Sequence, residues 1–117
     1  MALLTPPALS RHFHRFAWLA VALAVCVIVF GAFVRLSHAG LSCPDWPTCY
    51  GRAAWPQAAH EVSDHVATAI RPFETQKAWR EQLHRHLAAT LGALVPLLAV
   101  LAARKRSHGI AQVLLAA

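Results

Sequence analysis

Charge is scarce in this sequence: 14% of its 117 residues are charged, while 57% are hydrophobic. A soluble domain of this size needs more charge than that to stay in solution. Acidic residues are scarcer still, and none of the 5 lies before Asp45 or after Glu81. The run Gly-Ala-Phe-Val-Arg at 31–35 offers no small-x-small site. The apolar segment before it is therefore expected to persist as a helix rather than be removed as a signal sequence. No Cys-x-x-Cys spacing occurs, which weakens any reading of the cysteines as a metal pair.

What charge there is sits outside two apolar blocks. Phe16 to Val34 is free of charge, and so is Leu87 to Ala103. At about 1.5 Å per residue the first block covers about 28 Å, close to the hydrocarbon thickness of a bilayer. The second is slightly short, but Arg85 and His86 can join its helix near the interface, where their heads reach water. Arg11 and Arg15 precede the first block, and Arg104, Lys105 and Arg106 follow the second. The segment between them mixes all the acids with Arg35, Arg52, Arg71, Lys77, Arg80 and Arg85, and is nearly neutral. Nearly all of the net charge of +6 thus lies in the flanks. This is a positive-inside pattern rather than a nucleic-acid footprint, and it places both flanks in the cytoplasm and residues of about 35–85 outside.

The predicted organisation is an all-α integral membrane chain: a transmembrane helical hairpin with a long external loop and the start of a third helix. Residues 1–10, with Pro6 and Pro7, read as a cytoplasmic tail, and 11–36 as transmembrane helix one after the Ser10 cap. Residues 37–71 form the external loop, since Pro44, Pro47, Gly51 and Pro56 preclude a long helix there. A short helix around Glu61–Ile70 is suggested by Val62, Val66 and Ala69. Helix two is expected over 72–103, opening on Pro72 and crossing the membrane from about 85, with Pro96 bending it or releasing a carbonyl. A basic turn at 104–107 and a third helix beginning at 108–117 complete the prediction. Ten residues cannot cross a bilayer, so the chain is expected to be part of a longer protein.

Several residues could carry chemistry. Cys43 and Cys49 bracket Cys-Pro-Asp-Trp-Pro-Thr-Cys; outside the membrane they can form a disulfide, or remain two free thiols. Cys26 reads as a packing residue in mid-helix. Glu81 and His84 share a helix face at the membrane boundary. An imidazole there can ligate a haem iron, with Leu87, Ala88, Leu91 and Val95 as an apolar wall and Ala88, Ala89 and Gly92 allowing close approach. The alternative is that His84, Arg85 and His86 are interfacial anchors. Glu81 could move a proton or stabilise positive charge, or simply pair with Arg85 or Lys77. Arg35 could grip lipid phosphate or a haem propionate, with His38 on the same rim. His60 and His65 lack helical metal-ligand spacing and read as loop histidines. Trp46, Trp55 and Trp79 suit interface anchoring or a loop covering an apolar pocket.

The run Gly-Ala-Phe-Val-Arg-Leu-Ser-His-Ala-Gly-Leu-Ser-Cys-Pro-Asp-Trp-Pro-Thr-Cys-Tyr-Gly at 31–51 resembles the signature after the first helix of the haem A synthase family. Lys-Ala-Trp-Arg-Glu-Gln-Leu-His-Arg-His-Leu-Ala at 77–88, followed later by Thr-Leu-Gly, resembles the start of that family's second helix. The resemblance implies a fold of eight helices in two similar halves, of which this chain would be the opening fragment. It implies an enzyme, a haem-dependent membrane oxidoreductase, that oxidises a methyl of haem O to the formyl of haem A for cytochrome oxidase. On this resemblance His84 is an axial ligand to the haem O iron, Glu81 the glutamate beside it, and Cys43 with Cys49 the external-loop pair. Arg35 matches the arginine after helix one. Haem B would belong to the second half, beyond this chain. Implied partners are haem O, membrane lipid, haem O synthase and other oxidase-assembly proteins, and either further C-terminal helices or another chain, but no nucleic acid. The implied location is the bacterial inner membrane, multi-pass, with a cytoplasmic N-terminus. The isolated chain is expected not to make haem A by itself. The alternative is a non-enzymatic haem-binding or oxidase-assembly subunit.

Overall fold

The computed structural model describes residues 6–62 and 69–116. Two helices dominate it, α1 over Pro6–Leu36 and α2 over Thr75–Ala116. Among the described residues there is no sheet, only one isolated bridge between Cys49 and Arg52. Both helices are long and apolar enough to cross a membrane, and almost none of their apolar windows is buried within the chain. Trp18, Ile28, Val29 and Leu115 all stand exposed, which suits lipid or further helices and not water. The chain is an all-α membrane protein.

Three boundaries differ from expectation. α1 starts at Pro6 rather than after Ser10, because a proline in the first turn gives up an N–H that would go unpaired anyway. α2 starts at Thr75, not Pro72: the carbonyl of Glu74 receives the first helical bond, from Ala78 N–H at 3.0 Å. It then runs without a break through the basic residues at 104–107, where a turn was predicted. Arg104, Lys105 and Arg106 signal where a membrane ends, yet all three are good helix formers and Gly109 does not stop the winding. The helix also continues through Pro96. Residues 59–62 form one tight turn, and most of the short helix expected around Glu61–Ile70 lies outside the described residues.

The chain divides into two compact units. One comprises residues 25–89, the end of α1, the connecting loop and the first turns of α2. The other holds the rest of both helices, where the Lys105 ammonium lies 5.9 Å over the Phe13 ring. Cys26 is exposed on α1 instead of packed.

In the loop unit α1 ends in a left-handed cap. His38 has φ of 50°, its N–H reaches the Arg35 carbonyl, and the N–H of Ala39 reaches Val34. Those two bonds, with Val34 and Ala39 both buried, are the Schellman arrangement that satisfies a helix's last carbonyls. Cys49 and Arg52 exchange backbone bonds of 2.8 and 3.1 Å around Tyr50 and Gly51, both left-handed as in a type I′ turn. The small core of the unit consists of Cys43, Cys49, Tyr50, Val62 and Ala78, with Trp55, Ala69 and Phe73 against it.

Candidate functional site

Cys43 and Cys49 are joined, with Cα atoms 4.8 Å apart, so the disulfide reading is correct. Inside the closed loop, Asp45 organises the backbone. Its carboxylate accepts the N–H of Tyr50 at 2.5 Å, the N–H of Gly51 at 2.8 Å and the hydroxyl of Thr48. Burial by itself would raise the pKa of Asp45, but the bonds from Thr48, Gly51 and Tyr50 outweigh it and hold the pKa below the usual value. Burial, and then the negative charges of Asp45 and Glu81, push the Tyr50 phenol upward. The Gln57 N–H is the main cause of a lowered Glu61 pKa; slight burial opposes it, while Arg52 and His60 assist.

The loop rests on one face of α2, and the contact is polar. Glu81, buried at 8% exposure, accepts Ser42 N–H at 2.5 Å and Cys43 N–H at 2.9 Å with one carboxylate oxygen. Its other oxygen meets Arg85 at 2.6 Å. Arg85 in turn donates to the carbonyls of Asp45, Thr48 and Cys43. Gln82, wholly buried, donates its amide to Pro47 and Ala53, and His86 Nε2 lies 2.7 Å from the Ala53 carbonyl. Ala78 is small enough to lie beneath the bridge, its carbonyl 3.6 Å from Cys43 Sγ. One helical turn thus supplies an acceptor for the loop's N–H groups and donors for its C=O groups. Neither kind of backbone group could be buried without them.

Of the two pairings open to Glu81, the structure contains the one with Arg85; Lys77 pairs with Glu74. Arg85 and His86 turn to the loop instead of serving only as interfacial anchors. The clamp escaped sequence reasoning because the partners of Glu81 and Arg85 are backbone groups some 40 positions away, which carry no side-chain signature.

His84 points elsewhere. Its ring lies against α1, stacked 6.5 Å from Phe30, and a Cβ placed on Gly31 would come within 2.9 Å of its Cε1. Glycine is needed there to seat the ring. Gly92 faces open space, with nothing within 4 Å of a Cβ built there. His84 Nδ1 is buried with no hydrogen-bond partner. A buried imidazole nitrogen without a partner is uncommon unless something else binds the ring, and its donor chemistry suits a haem iron. Phe30 in turn belongs to an aromatic group with Phe33, Trp79 and Trp55, with centroid spacings of 5.5–6.4 Å. Trp46 is 74% exposed and takes no part. Arg35 is exposed at the end of α1, away from any described ion pair, and His38 offers its carbonyl to Arg71. His65 lies outside the described residues, and among those described no group of three metal-ligating side chains occurs.

Comparison with known proteins decides the family. The profile of the cytochrome oxidase assembly protein family (COX15-CtaA) matches residues 14–117, nearly the whole chain. The chain belongs to this family. Over 72 residues it is 50% identical to the haem A synthase of Shewanella oneidensis, covering 59% of this chain and 21% of that protein. It therefore spans well under two thirds of that relative's length. No solved structure matches the chain. Membership thus gives the chain a haem A synthase among its relatives.

Proposed function

We propose that this chain forms the haem O-binding part of a haem A synthase, with His84 as an axial ligand to the substrate's iron. The observation that carries the reading is the ring of His84, seated on Gly31 with a buried and partnerless nitrogen. The 50% identity to a haem A synthase supports it. Bound there, haem O would bring both the iron and the ring methyl that becomes a formyl group. The chain's own residues would bind, orient and shield. His84 fixes the position of the iron, and Phe30, Phe33 and Trp79 give the site an apolar flank. The disulfide loop would close the outer end of α2 beside it, held by Glu81, Gln82 and Arg85. Glu81 would stabilise positive charge or handle a proton from a carboxylate already held by Ser42, Cys43 and Arg85. Arg35 would lie at the rim within reach of a propionate. The second ligand to that iron, and a haem B site, would come from further helices of the same protein or from another chain. The protein would lie in the bacterial inner membrane with the loop outside, near the enzyme that supplies haem O.

The test is to express the chain in cells that accumulate haem O, purify it in detergent, and identify extracted haem by mass. Haem O should accompany the wild-type chain, and His84→Ala should retain at least about tenfold less. Equal haem in both would overturn the proposal. Joining the chain to the later helices of a haem A synthase and assaying haem A would then separate an enzyme from a haem-binding assembly subunit that performs no oxidation.

A further inference from the structure

Two polar atoms on one face of α2 are buried without a hydrogen-bond partner, His84 Nδ1 and Arg80 Nε. Four residues apart, they are neighbours on the helix surface, with Arg80 one turn nearer the loop. The Arg80 guanidinium lies 5.0 Å over the Phe33 ring and 5.7 Å from that of Trp79. Ring faces attract the cation but accept none of its in-plane N–H donors, which stay directed around the edge of the fork. Leaving a charged donor buried and unsatisfied costs stability, so the position calls for an acceptor. No described carboxylate supplies it. Glu81 is paired with Arg85, Glu74 with Lys77 and Glu61 with Arg52, while Asp45 is filled by Thr48, Tyr50 and Gly51. Arg35, the cation expected to face the ligand, is exposed and has no such aromatic shelf.

We propose that Arg80 binds a carboxylate of the same ligand whose iron His84 holds, so that the two orphaned side chains receive one metal-bearing, acidic macrocycle. The proposal rests on the His84 reading. An anionic oxygen could also come from a phospholipid phosphate, and the experiment separates the two sources.

The purified full chain in phosphatidylglycerol-containing nanodiscs is titrated with ferric protoporphyrin IX and with its dimethyl ester, whose carboxylates are blocked, following the Soret band. The wild type should bind the free acid about tenfold more tightly than the ester, the worth of one charge-assisted hydrogen bond. Arg80→Gln should weaken the acid about tenfold and leave the ester unchanged, abolishing the preference. Arg80→Lys should restore part of it, and Lys77→Gln should retain it in full. Helix content and an intact disulfide confirm that each variant is folded. A preference undiminished in Arg80→Gln overturns the assignment. So does a loss of tightly held phosphatidylglycerol in that variant with the porphyrin preference intact, which would make the anion a lipid phosphate. Unaltered binding of both porphyrins to His84→Ala would instead overturn the parent reading.

Discussion

The loop unit and the helical unit solve opposite problems. Between residues 25 and 89 the chain buries irregular backbone, and polar side chains answer it: Asp45 from within the loop, Glu81, Gln82 and Arg85 from α2. In the rest of both helices the backbone satisfies itself and large apolar side chains such as Trp18, Val21, Leu97 and Leu114 stand exposed. Such helices take their stability from lipid and neighbouring helices, whereas the loop carries its own. Sequence changes should therefore read out differently in the two units.

The sharpest break should come at Glu81. Glu81→Ala would leave Arg85 half-enclosed without its carboxylate and two loop N–H groups without an acceptor, and should cost about 3 kcal/mol. Unfolding in detergent, together with faster hydrogen exchange at residues 42–53, would measure it; a loss below about 1 kcal/mol would show that the loop is held by other means. In the helical unit an apolar-to-charged change should matter nearly as much. Val21→Asp should raise the apparent free energy of membrane insertion by about 3 kcal/mol in a glycosylation-based insertion assay. If Val21 instead faced water, insertion would be unaltered.

Acid should act on the loop. Because Asp45 has a lowered pKa in the folded chain, its contribution to stability is present above its ordinary value of 3.8 and is lost as pH falls through the folded value. The amides of Tyr50 and Gly51 should lose protection in the wild type only as the pH falls below 3.8, through the lowered folded value. Asp45→Asn should show that weaker protection already at neutral pH, with no further acid step. The smallest effect is expected of Leu97→Ala, an exposed position on α2, which should change stability by less than about 0.5 kcal/mol in detergent. A larger loss would reveal a packed neighbour there.

The helices were legible because a charge-free run such as Phe16–Val34 admits few structures in a bilayer. The cysteine pair was legible too, since a short span with two prolines brings its ends together. The basic cluster at 104–107 misled: it reports on lipid headgroups and not on backbone dihedrals, so it predicted a turn where α2 continues. At the site, Glu81 and His84 were picked out from their shared face, but their directions were not. A carboxylate whose partners are main-chain amides of Ser42 and Cys43 looks, in one dimension, like any surface acid. Arg80 was passed over as one charge among several, because its shelf is assembled from Phe33 and Trp79 on different helices.

The missing methyl at Gly31 sets the tilt of the ring across from it. A side chain of even one carbon would press on Cε1 and swing the imidazole, redirecting its lone pair with no change on the helix that carries it. If His84 holds iron as proposed, ligand geometry would thus be retuned from the opposite helix, by a position that itself contributes no donor, charge or bond.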